Sequence, residues 1–357
     1  MKNIDLRLNY PLLPGQDAQI KELLQSALDQ TGNLLSLAPG GGDLTDRQIA
    51  AKWLSQPGYT VDAENVFMGS GGHHCIVVSI LAAGLQHKKI VADEMTYSNF
   101  KSIAQLMNMQ IIPCKTDEHG IIPGELSAIC KSANPDAIYL MSTVSNPLGT
   151  VIPLNRRHEI AAIAKENNLL IIEDDAYGFL EEEVLPTFFH LAPERSFYIY
   201  SLAKPFAQGI KTSYLLAPAA YAQKINEALR STGSNPSWFL SKAASDMIES
   251  GSLKSLIEAK RKEGRSRQQK TRELLSDYQL NGHKNGWHIW LTLPDGLSSS
   301  ELNENLLKRG VEIVPSGAFS VANKSQQQGI RIALGGEMDF NRVVEGLNII
   351  KEEIEKL

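Results

Sequence analysis

The chain has 357 residues, enough for one large and one small domain, and hydrophobic residues make up 43% of it, which is ample for a substantial core. A formal net charge of -5 argues against the clustered basic surface that holds nucleic acid, and no apolar run approaches the length of a membrane span. The N-terminus has no apolar signal core, and Cys75, Cys114 and Cys130 sit in apolar stretches without metal-ligand spacing, so free thiols in a reducing, cytoplasmic protein are expected.

The first 14 residues lack helical periodicity, and Pro11-Leu12-Leu13-Pro14-Gly15 predicts an extended arm. Ile20, Leu23, Leu24 and Leu28 then recur at helical spacing between Gln16 and Gln30. A second helix, carrying Ile49, Ala50 and Leu54, follows the loop Ala38-Pro39-Gly40-Gly41-Gly42. Asn65-Val66-Phe67-Met68 is a short strand that runs into Gly69-Ser70-Gly71-Gly72-His73-His74 and an apolar helix. Free backbone N–H groups at a helix start attract an anion, and glycines let a phosphate come close; taken alone, the stretch is no more than a Gly-rich turn. His73 and His74 make a poor metal pair, because helix neighbours point about 100° apart.

Strands and helices alternate from there. The predicted strands are Lys89 to Ala92, Ile111-Ile112, Ala137 to Met141, Leu169 to Ile172 and Phe197 to Tyr200, with helices near Leu126 to Lys131 and from Asn155 to Asn167. Repeated βα units imply a mainly parallel sheet covered by helices, with Thr212 to Ala217 as its one returning strand. Lys260, Arg261, Lys262, Arg265 and Arg267 are predicted to form the solvated face of a long helix linking two domains. Strands at Gly286 to Leu291, Val311 to Val314 and Gly329 to Leu334, a helix from Ser299 to Arg309 and a terminal amphipathic helix suggest a small α+β domain. The expected fold is therefore α/β, with a large domain over residues 43–265. A smaller domain is drawn from both chain ends, residues 1–42 (arm and first helix) and 266–357.

Three strand ends carry chemistry. The strand at Met141 leads to Asn146, the strand at Ile172 to Glu173-Asp174-Asp175-Ala176-Tyr177, and the strand at Tyr200 to Ser201-Leu202-Ala203-Lys204. Ligands of open α/β sheets gather at that edge. A lysine by itself is a surface charge. An Asn, an Asp-x-x-Tyr and a Ser-x-x-Lys in this order are the kit that pyridoxal phosphate chemistry requires.

On these residues the chain resembles the fold type I, class I/II aminotransferases over nearly its whole length. In motif it is most similar to the aminotransferase-like branch of the MocR regulators, without their DNA-binding domain. The resemblance implies a seven-stranded type of sheet, a homodimer with active sites at the subunit interface, and pyridoxal 5'-phosphate as cofactor. Lys204 would form the Schiff base and then, as a free amine, move the proton between the substrate Cα and the cofactor carbon. Asp174 would keep the pyridine nitrogen protonated; strand alternation agrees, since it sends Glu173 and Asp175 to the opposite side. Tyr177 and Asn146 would bond the phenolate oxygen, and Tyr97 would stack on the ring. Backbone groups of Gly71, Gly72 and His73, with Ser201 and Lys211, would hold the phosphate.

Arg331, in Gly329-Ile330-Arg331-Ile332, would grip the substrate α-carboxylate with two parallel hydrogen bonds, next to Asn146. The chain departs from the family pattern at Asn9, where a glycine is usual, and at Leu37, where a tyrosine reaches the partner's phosphate. It also has Lys211-Thr212-Ser213-Tyr214 for Arg-x-Gly-Tyr, which keeps the charge and gives up the guanidinium fork. The implied reaction is amino transfer between an L-amino acid and a 2-oxo acid. Alternatives are C–S or β-lyase chemistry on the same residues, a non-catalytic effector-like cofactor sensor, and a transferase for a sugar or other amine. Against the sensor, no winged-helix segment precedes residue 1; the last reaction would not need Arg331.

Overall fold

The computed structural model describes residues 3–30, 35–233, 235–321 and 328–357. The chain opens with β1 (Ile4–Asp5) and an extended arm, followed by α1 (Gln16–Gln30) and α2 (Leu44–Leu54). An alternating series comes next: β2 (Val66–Gly69), α3 (Gly72–Ala83), β3 (Lys89–Asp93), α4 (Ser98–Leu106) and β4 (Gln110–Cys114). A hairpin of β5 (Thr116–Asp117) and β6 (Gly120–Ile121) leads to α5 (Pro123–Ala133), β7 (Ala137–Leu140), α6 (Leu154–Glu166) and β8 (Leu170–Asp174). Then follow α7 (Phe188–Leu191), β9 (Ser196–Ser201), β10 (Ser213–Leu216), α8 (Ala222–Gly233), α9 (Trp238–Glu249) and α10 (Ser252–Leu274).

The seven strands of the large sheet lie in the order β2-β10-β9-β8-β7-β3-β4. The pairs from β9 to β4 are parallel, and β10 alone runs antiparallel to both of its neighbours. β2, β7, β9 and β10 are buried at every position, which is why their sequences are continuous apolar runs and do not alternate. Alternate residues feed two cores. Ala137, Tyr139 and Ile172 join Ile76, Val78 and Ile80 of α3 on one face. Ile138, Leu140 and Ile171 meet Leu126 of α5 and Ile160 of α6 on the other.

The rest of the chain comprises β11 (Gln279–Asn281), β12 (His288–Thr292), α11 (Ser299–Lys308), β13 (Val311–Glu312), β14 (Val314–Pro315), β15 (Gly329–Ala333) and α12 (Phe340–Lys356). An antiparallel sheet, β11-β12-β15-β14, packs Ile289, Leu291, Ile330 and Ile332 against Leu302 and Leu306 of α11 and Leu347 and Ile350 of α12. The chain start joins this unit through β1, which pairs parallel with β13.

Four expectations need correction. The stretch from Val311 to Val314 is two short strands, and they belong to different sheets because β13 pairs with β1 and β14 with β15. α1 does not belong with the small unit: Ile20, Leu23 and Leu24 pack on the large core beside α9, whereas β1 and the arm residue Leu6 join the small core. A boundary at 265 cuts the unbroken helix α10. The basic run is a solvated face only in part: Lys262 and Arg265 are exposed, but Lys260 and Arg267 are buried. Arg261 donates to the carbonyls of Phe179 and Glu181, Arg265 to Glu182 and Asn285, and Arg267 to the carbonyls of Leu334, Glu337 and Met338. Turn carbonyls need donors wherever strands end, and α10 supplies them.

Candidate active site

The sheet brings most of the predicted residues to one edge. Gly71, Gly72 and His73 follow β2, Tyr97 follows β3, Asn146 follows β7, Asp174 ends β8 with Tyr177 just beyond, and Ser201 ends β9 ahead of Lys204. Lys211 joins them because β10 is antiparallel, so its start lies where its neighbours end. Arg331 comes from the small sheet on β15.

Lys204 lies under the arm. Its Nζ donates to the Asn9 carbonyl at 2.8 Å and sits 3.9 Å from the centroid of the Tyr10 ring. Burial holds the amine well below the usual lysine range, Arg331 and Lys260 push the same way, and Asp174 opposes them. Asp174 is 3% exposed and accepts a hydrogen bond from Tyr139 Oη at 2.8 Å. Burial raises its pKa to about 6, and the Tyr139 hydroxyl pulls it back. The flanking carboxylates are engaged elsewhere. Asp175 accepts from Tyr198 at 2.7 Å; Glu173 accepts from Ser142 and from the Phe188 amide, 3.7 Å from Arg157.

At the start of α3, Gly71 has φ of 97°, a conformation that L side chains rarely adopt, and no side chain caps the helix. The first N–H groups of a helix have no partner within it, so they face the site. A Cβ on Gly72 would stand 3.4 Å from Ser201 Cβ, and one on Gly71 3.7 Å from Lys211 Cβ, so hydroxyl and ammonium stems flank these amides. His73 does more than lend its backbone: its Nε2 is 2.7 Å from Tyr97 Oη, which also accepts from Asn99 Nδ2 at 3.2 Å. Arg331 donates to Asn146 Oδ1 at 3.0 Å and to the Arg7 carbonyl, while its Nε has no partner among the described residues. The Tyr177 hydroxyl points at the Asn9 carbonyl, 3.5 Å away.

Sequence reasoning missed Tyr139, Tyr10, His288 and Lys260, and left Asn9 aside as a departure. Asn9 Nδ2 meets His288 Nδ1 at 2.9 Å, and His288 Nε2 lies 3.1 Å from the Ser145 carbonyl. A carbonyl can only accept, so Nε2 carries the proton and Nδ1 receives the amide. Lys260 did leave a signal: it falls on the apolar stripe of Leu253, Leu256 and Ile257. A cleft of about 1280 Å³ lies elsewhere, lined by Leu148, Gly149, Glu181, Arg272 and His283, and none of the predicted site residues lines it. The space above Lys204 is filled by Asn9 and Tyr10.

A model of the family described as aminotransferase class I and II matches residues 2–347. The chain belongs to that family. It is thus a pyridoxal 5'-phosphate-dependent aminotransferase. It is 23% identical to the 2-aminoadipate transaminase of Thermus thermophilus, across 94% of this chain and 85% of that protein. It is also 27% identical to the HTH-type transcriptional regulator YdeF of Bacillus subtilis, across 90% of this chain and 70% of the regulator. Among solved structures, LysN, an α-aminoadipate aminotransferase of Thermus thermophilus, superposes with a TM-score of 0.88 at 20% identity, covering 99% of this chain and 92% of that one. The kynurenine aminotransferase of Pyrococcus horikoshii gives 0.90 at 22% identity, covering 100% and 91%. The aminotransferase site fits its cofactor: open amides beside a lysine and a serine suit a phosphate, and a buried carboxylate suits a protonated ring nitrogen.

Proposed function

We propose that this aminotransferase moves an amino group between an L-amino acid and a 2-oxo acid, with Lys204 as the residue that holds the cofactor and carries the proton. The observation that supports this most is the meeting at one sheet edge of a Lys204 whose pKa burial depresses, a buried Asp174 and a buried Arg331 tied to Asn146. Bound pyridoxal phosphate supplies an electron sink for the substrate Cα. Asp174 would hold the ring nitrogen, Asn146 and Tyr177 the phenolate oxygen, and Tyr97 the ring face. The amides of Gly71, Gly72 and His73, with Ser201 and Lys211, would hold the phosphate. Lys204, whose pKa burial and Arg331 depress, suits a base that would take the Cα proton and return it at the cofactor carbon. The Arg331 guanidinium suits a carboxylate-bearing substrate, which favours amino acids over sugar amines.

A homodimer in the cytoplasm belongs to the same reading. Leu35 and Leu37 stand fully or largely exposed, as an apolar surface awaiting a partner would, and the three cysteines are free and buried. No described helix is long and apolar enough to cross a membrane. The test is an absorbance spectrum of the purified protein before and after a pool of L-amino acids is added, with 2-oxo acid assayed, beside Lys204→Ala. Wild type should change colour and release 2-oxo acid, and Lys204→Ala should do neither. Ammonia release with pyruvate would replace this reading by a lyase, and a colourless protein that takes up no cofactor would end it.

A further inference from the structure

Lys260 stands where an apolar residue is expected, at 1% exposure on the inner stripe of α10. No carboxylate pairs with it among the described residues; its Nζ donates to the Lys204 carbonyl at 2.8 Å and to the Phe206 carbonyl at 3.0 Å. Gln16 Nε2 reaches the same Phe206 carbonyl at 2.5 Å, and Gln16 Oε1 accepts from the Leu13 amide at 3.2 Å. The loop after Lys204 is thereby held between α10 and the arm. An unpaired ammonium in the interior is destabilising relative to an apolar side chain of similar volume, so packing does not explain the residue.

We propose that Lys260 is a positioning residue for Lys204: gripped by the Lys204 and Phe206 carbonyls, it holds a positive charge beside the reactive amine and acts on it electrostatically. The inference rests on Lys204 being the reactive amine of the proposed function. The groups that face Lys204 are Tyr10 of the arm, His73 at the start of α3, Asp174 at the end of β8 and Tyr177 beyond it, Lys260 on α10, His288 on β12 and Arg331 on β15. Of these, Asp174 alone favours the charged amine, while Arg331 and Lys260 oppose it. Burial lowers the pKa of Lys260 itself to about 7, so its electrostatic effect is strongest below neutral pH.

The test reads the amine directly. The full chain, freed of cofactor, is trace-labelled with acetic anhydride across a pH series, and acetylation of Lys204 is measured on its peptide by mass spectrometry. Lys260→Met and Lys260→Gln should raise the pH midpoint of Lys204 labelling by about 0.5 to 1 unit, because a neighbouring like charge is gone. Lys260→Arg should hold the midpoint at or below the wild-type value, because a guanidinium stays charged where Lys260 loses its proton, and Lys262→Met, on the exposed side of the same helix, should leave it unchanged. Coincident midpoints in wild type and the Met and Gln variants would overturn the proposal, since a purely mechanical staple gives that result. If the Met variant does not fold, the Gln variant decides alone. Labelling needs no turnover, so a shifted midpoint in a chain that fails to transaminate would sink the proposed reaction and leave this inference standing.

Discussion

A carboxylate as deeply buried as Asp174 takes up a proton unless a donor stabilises its charge, and Tyr139 is that donor. The tyrosine is locked in place, stacked on Phe100 with ring centroids 3.6 Å apart. A hydrogen bond to a charged group contributes about 1.5 to 3 kcal/mol, equivalent to about one to two pKa units. Tyr139→Phe should therefore lift Asp174 from about 6 to above neutrality, lower amino transfer at pH 7 by about tenfold, and move the acid limb of the rate–pH profile upward. If the limb stays where it is in wild type, Tyr139 only packs. That Asp174 faces away from Glu173 and Asp175 was legible from strand alternation, while its choice for the ring nitrogen came from the resemblance. Tyr139 was not legible, since tyrosine is a good strand former and its hydroxyl partner is 35 positions away.

α6 shows how a helix outside the site shapes it. Arg157 is 1% exposed and donates to the Ser142 carbonyl and Thr143 hydroxyl before the loop that presents Asn146, to the Ile152 carbonyl after it, and to the Pro186 carbonyl ahead of α7. Gly149 in that loop has φ of 71°, and a Cβ there would come within 2.8 Å of Gly282 Cα, so the loop depends on close backbone contact as well. Arg157→Met would leave the buried carbonyls of Ile152, Pro186 and Ser142 without their donor and remove the cation 3.7 Å from Glu173, and urea unfolding should show a loss of about 3 to 5 kcal/mol. Adding Glu173→Gln should return part of that loss, because the carboxyl that Arg157 helps to keep ionised goes with it. Strictly additive losses would mean the two residues do not act as a pair. The long elements of the fold were readable from periods of 2 and 3.6 residues. Strands of two residues such as β13 and β14 carry no period, and an amphipathic stripe such as that of α1 does not name the surface it will cover.

At the scale of the whole molecule, arm, small sheet and large sheet meet at His288, which bonds Asn9 on one side and the Ser145 carbonyl on the other. Burial, aided by Arg331, depresses its pKa to about 3, whereas an unfolded chain leaves histidine near 6.5. Between those values the unfolded state binds the extra proton, so the stability that neutral His288 contributes is complete above about 6.5 and is lost as pH falls toward 3. The raised carboxylates act in the opposite sense. Asp93 and Glu173 near 7 and Asp174 near 6 hold protons more tightly when folded, so their contribution is present at low pH and fades as pH rises through those values. The two trends offset each other in wild type, which makes a difference measurement the clean one. His288→Asn should be the less stable protein at pH 7.5, because the three-way junction is weakened. Urea unfolding at steps from pH 7.5 down to 4.5 should then show this deficit shrinking below pH 6.5, by up to about 1.4 kcal/mol per unit. A deficit that stays constant across the series would mean that His288 titrates alike in both states, and that the junction is not where acid opens the molecule.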